Sequence, residues 1–195
     1  MALTQSLRSL VLACGMLGFS AGFVMAQSND LPLGQPVEPQ PGDTYVAEEF
    51  GDWQIRCVLQ EPDVPEPCQM YQLLLDVNGT SVAEMTAFAL PEGQAAVAGA
   101  TVITPLETHL ASGVQFFVDD QEPLLYGFDF CSRMGCYARM GWTQDLVTSM
   151  EQGAVATIRI APYADPQSDV IVTASLRGFT AAMNSMRQRL EAASQ

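Results

Sequence analysis

Residues 128–140 read FDFCSRMGCYARM, and this stretch decides the fold. The pattern predicts two short strands joined by a tight turn, with Cys131 and Cys136 at the inner ends of the strands. On this prediction Phe128 and Phe130 share one face, because side chains alternate along a strand. Four residues separate the two cysteines. That spacing suits a disulfide that closes the end of a hairpin.

Residues 1–26 have the features of a secretory signal peptide. Arg8 gives a weak positive charge, and an apolar run follows as far as Met25. The small side chain of Ala26 ends the pattern that a signal peptidase recognises, so we predict cleavage after this residue. Two alternatives stay open: an uncleaved membrane anchor, and a lipoprotein processed at Cys14.

Four cysteines remain in the exported chain: Cys57, Cys68, Cys131 and Cys136. An even number of cysteines in an oxidising compartment predicts disulfides, and four cysteines allow three connectivities. We favour the local pairs Cys57–Cys68 and Cys131–Cys136, because each pair flanks a turn-rich loop. By lowering the entropy of the unfolded chain, each such bridge stabilises the folded protein by about 2–3 kcal/mol.

The chain beyond the leader predicts many short strands. Trp53, Ile55 and Cys57 alternate onto one face, and a second strand opens at Cys68. Asn-Gly at 78–79 is a strong hairpin signal, because both residues tolerate a positive φ. About eight or nine such strands, separated by turn signals, predict an all-β fold. We expect an antiparallel β-sandwich or barrel.

Two helices complete the predicted domain. A short helix near 143–151 begins at Thr143, whose hydroxyl can cap the first turn. A C-terminal helix near 179–190 carries an apolar stripe at helical spacing, which predicts that it docks on the sheet. We predict that residues 27–44 form a disordered proline-rich linker and that residues 45–195 form a single β domain.

The charge of the chain excludes one class of partner. It contains 22 acidic residues against eight basic ones, with a formal net charge of −14. All eight basic residues are arginines. Binding to nucleic acid needs a basic patch, so we predict that nucleic acid is not a partner.

No pattern in the chain indicates an enzyme. His109 is the only histidine, and although Ser112 is near it in sequence, no nucleophile motif surrounds them. We therefore expect an exposed loop histidine and assign no catalytic or cofactor-binding residues. A zinc site formed by the four cysteines of the exported chain is the alternative to two disulfides. Export and the wide spacing of Cys57 from Cys68 favour the disulfides, so we assign no metal ligands.

A periplasmic thiol-redox factor or enzyme is the alternative function. It would use Cys131 and Cys136, with Arg133 between them to stabilise a thiolate. The spacing of four residues and the strand-like flanks differ from the two-residue spacing at a helix start that redox centres usually have. We therefore place this reading second.

Several motifs in order along the chain resemble those of the invasion-associated locus B family of exported Gram-negative bacterial proteins. They run from Phe50 to Met183 and comprise Gly51-Asp52-Trp53 with Cys57, Cys68, residues 99–106, the segment from Phe130 to Cys136, and residues 175–182. The resemblance implies an envelope protein, periplasmic or outer-membrane associated, that is linked in pathogenic members to host-cell invasion. It brings no enzymatic activity and no catalytic residues with it.

These observations together predict an exported, non-enzymatic envelope protein. We expect it to bind a protein or an envelope component and to aid host-cell interaction. Association with the outer membrane would not need a transmembrane span in the mature chain. We expect the binding surface at a sheet edge or in the loops beside the Cys131–Cys136 turn, because loops often carry function.

Overall fold

The computed structural model describes residues 33–194 of the chain. The unit formed by residues 38–195 contains every described strand and helix. The predicted signal peptide lies outside the described residues, as do residues 27–32 of the predicted linker. No helix in the described range is long and apolar enough to cross a membrane.

Eleven β-strands and two α-helices make up this unit, with one 3₁₀ turn at Leu110–Ser112. The strands are β1 (Thr44–Phe50), β2 (Trp53–Val58), β3 (Cys68–Asp76), β4 (Ser81–Ala89), β5 (Ala98–Thr104), β6 (Val114–Val118), β7 (Leu124–Tyr126), β8 (Phe130–Ser132), β9 (Gly135–Trp142), β10 (Val155–Ile160) and β11 (Val170–Ser175). The helices are α1 (Gln144–Gln152) and α2 (Phe179–Ala193).

All eleven strands belong to one antiparallel sheet that curls into a half-barrel. Nine strands follow the order β7-β6-β10-β11-β3-β4-β5-β9-β8, and the β1–β2 hairpin branches from β3. Only residues 127–129 connect β7 to β8, the two ends of this path. The ends of the curled sheet therefore lie within about 14 Å of each other, the reach of so short a segment.

The predicted fold class is confirmed, with both helices near their expected positions. Residues 127–129 leave the ladder, so the segment from Leu124 to Cys131 is not one continuous strand. The prediction that Phe128 and Phe130 share a face is wrong for the same reason. Phe128 packs against the core, whereas Phe130 is 53% exposed.

The core lies between the inner face of the sheet and α2. The expected alternation in β2 is confirmed, since Trp53, Ile55 and Cys57 are all buried. Phe179 from α2 meets Trp53 edge-on, with 5.6 Å between ring centroids, and Trp142 at 6.2 Å. Burial of such large rings supplies much of the driving force for docking the helix.

Helix α1 begins where the sequence predicts. The Thr143 hydroxyl accepts a hydrogen bond from the Leu146 amide at 3.3 Å, which satisfies one of the free N–H groups of the first turn. Leu146, Val147 and Met150 are buried. The apolar side of the helix therefore faces the core.

Candidate functional site

One edge of β3 is shared between two strands. Residues 68–71 of β3 pair with β2, whereas Leu75 and Asp76 pair with β11. Because β2 and β11 diverge from this edge, a fork opens between them over the middle of β3. We call this opening the fork.

The side chain of Gln72 fills the fork. Gln72 is 6% exposed, and its amide nitrogen donates to the Ser175 carbonyl at 3.0 Å. The Ser175 amide donates in return to Gln72 Oε1 at 2.6 Å. The side chain thus replaces the backbone pairing that the divergent strands cannot make, and it leaves no buried amide unpaired.

Ser175 is also bonded from the side of β2. The Trp53 indole donates to the Ser175 carbonyl at 2.8 Å, and the Ser175 hydroxyl donates to the Asp52 carboxylate at 2.6 Å. Arg177 donates to the same carboxylate through Nε at 3.0 Å. These contacts join the start of β2 to the end of β11.

The Asp52 carboxylate titrates well below its usual range. Hydrogen bonds from Arg177 and then from Ser175 lower its pKa from the ordinary value of 3.8 to about 2. Both donors favour the charged form of the carboxylate. Asp52 therefore remains an anion throughout the neutral range, where it has no proton to donate as a general acid and is a weak base.

Two glycines let the chain segments approach backbone to backbone. Gly178 has φ +90°, and a β-carbon there would overlap the Phe50 carbonyl oxygen. Gly51 has φ +60° and lies against the Arg177 carbonyl in the same way. The motifs around residues 51–53 and 175–179, far apart in sequence, therefore form one structural junction.

A groove of about 640 Å³ opens to solvent above the fork. We call it the fork groove. Leu73 and Leu75 supply apolar surface at its floor, and the Arg56 guanidinium stacks 3.2 Å from the centroid of the Tyr71 ring at one wall. Its lining is Glu49, Gly51, Asp52, Gln54, Arg56, Tyr71, Gln72, Leu73, Leu75, Thr173 and Ser175.

The fork groove has the chemistry of a recognition surface. Burial and then the charge of Glu84 raise the pKa of Tyr71, so its hydroxyl stays protonated and can donate a hydrogen bond. Arg56 offers a cation, and Glu49 and Asp52 offer anions. A ligand with apolar and charged groups would find partners for both on these walls.

The structure joins the cysteines in the two local pairs that the sequence favours. Cys57 and Cys68 are directly opposite on β2 and β3, with 4.1 Å between their α-carbons. Cys131 and Cys136 are directly opposite on β8 and β9, at 4.0 Å. The first bridge lies on the branch that forms the fork, and the second lies at the end of the sheet.

The histidine is half-buried at the start of the 3₁₀ turn. His109 Nδ1 lies 2.8 Å from the Ser112 hydroxyl, a contact between residues three positions apart within one turn. Within residues 33–194, no three or more His, Cys, Asp or Glu side chains lie close enough together to hold a metal ion.

The sequence prediction missed the residues of the fork. It assigned no role to Gln72, Ser175 or Arg177. A signal for Gln72 was present, since an amide at an inward position between Met70 and Leu74 needs a buried partner. The sequence did not indicate which residue is that partner, because Ser175 lies 103 positions away.

Comparison with known proteins finds a matching family and a solved structure of similar fold. A family model described as "Invasion associated locus B (IalB) protein" matches residues 53–187. A crystal structure of invasion associated protein b from Bartonella henselae superposes with a TM-score of 0.59 and 19% sequence identity. That alignment covers 74% of this chain and 97% of the other, and it shows a shared fold. No curated protein matches the chain.

Proposed function

The chain belongs to the invasion associated locus B family, and from this premise we propose an exported, non-enzymatic envelope protein that binds a protein or an envelope component. The observation that carries the proposal is the fork groove, where apolar Leu73 and Leu75 lie beside charged and hydrogen-bonding side chains. Binding sites commonly combine an apolar surface with a few convergent polar groups. The junction of Asp52 and Arg177 holds that surface on fixed strands.

The proposal includes a compartment. Two disulfides in a domain of this size suit an oxidising environment. We place the protein in the periplasm or at the outer membrane, exported through residues 1–26. Sequencing the amino terminus of the exported protein tests this. We expect Gln27 as the first residue, and a chain that starts at a lipid-modified Cys14 would refute the cleavage site.

A role in host-cell interaction is part of the same proposal. The Bartonella henselae protein of similar fold is described as invasion associated. A deletion strain measured for adherence to host cells and for entry tests this part separately. Unchanged adherence and entry would refute the role in host-cell interaction and would leave the proposed binding function unaffected.

Site-specific photo-cross-linking tests the binding function. A photoreactive phenylalanine analogue replaces Leu73 at the fork groove, and in a matched variant it replaces Tyr163, which is 74% exposed on the loop between β10 and β11. In envelope extracts we expect a discrete adduct from position 73 that excess unlabelled protein competes away. The same adducts from both positions, or none from position 73, would count against the proposal.

One observation favours thiol chemistry as a second candidate. Cys131 is exposed whereas its partner Cys136 is buried, so an attacking thiolate reaches one sulfur of the bridge. Replacing both residues by serine distinguishes the candidates. If the folded variant no longer oxidises a model dithiol, a reaction in which the protein's bridge is reduced to two thiols, the result supports redox function. Lower stability alone supports a structural bridge.

A further inference from the structure

A row of side chains crosses the outer face of the sheet. Leu73 lies opposite Glu84, Glu84 opposite Ile103, Ile103 opposite Tyr137, and Tyr137 opposite Phe130. The row therefore runs over β3, β4, β5, β9 and β8, on the side away from the core. We call these five residues the outer row.

The outer row is mainly apolar and open to solvent. Leu73 is 42% exposed, and the rings of Phe130 and Tyr137 stack with 4.6 Å between their centroids. A depression of about 170 Å³ lies along the row, lined in part by Leu73, Glu84, Ile103 and Met134. Leu73 also lines the fork groove, so the two concavities are adjacent at this residue.

Glu84 is the one charged member of the outer row, and it lies between two apolar neighbours. The described residues contain five ion pairs within 4 Å, and none of them involves Glu84. Its charge nevertheless contributes to the raised pKa of Tyr71 beside it. A carboxylate flanked by apolar surface attracts a cation more strongly than one surrounded by water.

We infer that the outer row binds an extended segment of a partner protein in which one lysine or arginine lies between apolar side chains. This rests on the proposed function and names the partner's chemistry. The cation meets Glu84, and the apolar side chains on either side of it meet Leu73 and Ile103. The aromatic pair formed by Tyr137 and Phe130 receives a further apolar residue.

The dimensions of the row set the length of the segment. Five strands at a spacing of about 4.8 Å extend over about 19 Å, which an extended chain crosses in about six residues. The segment lies across the strands, whose backbone groups already pair with their neighbours. Recognition therefore depends on side chains. Alternate side chains of the segment face the row, and their order apolar, cationic, apolar matches the order Leu73, Glu84, Ile103.

A second copy of this chain fits the row poorly. Each copy has a formal net charge of −14, so two copies repel each other. Five of the seven arginines in the described range are already held in ion pairs with carboxylates of the same chain. A cationic partner gains from the same charge that opposes self-association.

Two labelled hexapeptides test the inference, one containing Leu-Ser-Arg-Ser-Leu and the other Leu-Ser-Gln-Ser-Leu, because only alternate side chains of an extended chain face the same surface. Each is titrated into ¹⁵N-labelled protein, and the shifted amides give both the Kd and the location. The variants are Glu84→Gln and, as a matched control, Glu122→Gln in the exposed turn before β7. The near-isosteric changes remove charge while they preserve shape.

We expect the arginine peptide to bind the wild-type protein more tightly and to shift amides of the outer row. Glu84→Gln should weaken its binding about fivefold and leave the glutamine peptide unaffected. Glu122→Gln should leave the binding of both peptides unchanged. Any of four results would overturn the inference: equal binding of the two peptides, equal effects of the two variants, no binding, or amide shifts outside the outer row. A specific cross-link from position 73 beside such a result would leave the proposed function standing.

Discussion

Asp52 and Arg177, 125 positions apart in the sequence, form an ion pair through two hydrogen bonds. Arg177 Nε lies 3.0 Å from one carboxylate oxygen and Nη2 lies 2.5 Å from the other. The two-pronged geometry fixes direction as well as distance. It therefore sets the angle at which the turn before β2 meets the segment that leads into α2.

Asp52→Asn should destabilise the protein by about 1 kcal/mol at pH 7, a small value because the pair is partly solvated. The pKa of Asp52 is depressed to about 2 in the folded protein. Its stabilising contribution is therefore complete above about pH 4 and disappears as the pH falls towards 2. Urea unfolding across this pH range measures the difference from wild type.

Asp120→Asn is the control for that measurement, since Asp120 lies in the exposed turn after β6. It should leave the free energy of unfolding nearly unchanged at pH 7. If the difference between Asp52→Asn and wild type persisted undiminished at pH 2, the ion pair would not be its source.

Gly178→Ala should destabilise the protein by about 3 kcal/mol or more, because a β-carbon overlaps the Phe50 carbonyl oxygen as well as straining φ. Gly79→Ala is the matched control. Gly79 has a similar φ of +79° but nothing within 4 Å, so the change should cost only about 1–2 kcal/mol. Denaturant unfolding compares the two variants. Equal losses in the free energy of unfolding would show that the contact with Phe50 does not add to the cost at Gly178.

Gln72→Ala should cost about 1–3 kcal/mol, because the Ser175 amide loses its acceptor inside the fork. We also expect faster hydrogen exchange at the Ser175 amide than in wild type. Gln69→Ala, an exposed glutamine on the same strand, is the control and should leave both quantities almost unchanged. Unaltered exchange at Ser175 in Gln72→Ala would contradict the bridging role.

The intact protein should have a mass four hydrogens below that of its fully reduced form, because it contains two disulfides. Replacing Cys57 and Cys68 by alanine should cost more than replacing Cys131 and Cys136. The first bridge closes a longer loop and belongs to the main core, so we expect about 3–5 kcal/mol against about 2 kcal/mol. Thermal unfolding ranks the two variants, and a reversed order would refute this.

Local sequence patterns predicted much of the fold. Alternation of Trp53, Ile55 and Cys57 identified β2, and the Asn-Gly pair marked the turn between β3 and β4. The cap at Thr143 located α1. Each of these signals lies within a few residues, where backbone sterics and side-chain direction act directly.

The candidate site was less accessible to sequence reasoning. The motifs around Asp52 and Ser175 were recognised as family features, but nothing in either motif indicated that they touch. The break at residues 127–129 was also missed. There the Asp129 carboxylate accepts hydrogen bonds from Arg139 at the point where the strand leaves the ladder. That contact spans a turn of the chain, so neither segment predicts it alone.

The amino-acid sequence by itself determined the strand-rich class, the two helices, the acidic charge and the motifs of the family, because these depend on composition and on neighbours along the chain. Only the tertiary structure decided the order of the strands, the division of β3 between β2 and β11, and hence the fork groove and the outer row. Strand order follows from pairing between distant segments, and its free energy is that of the whole packed sheet.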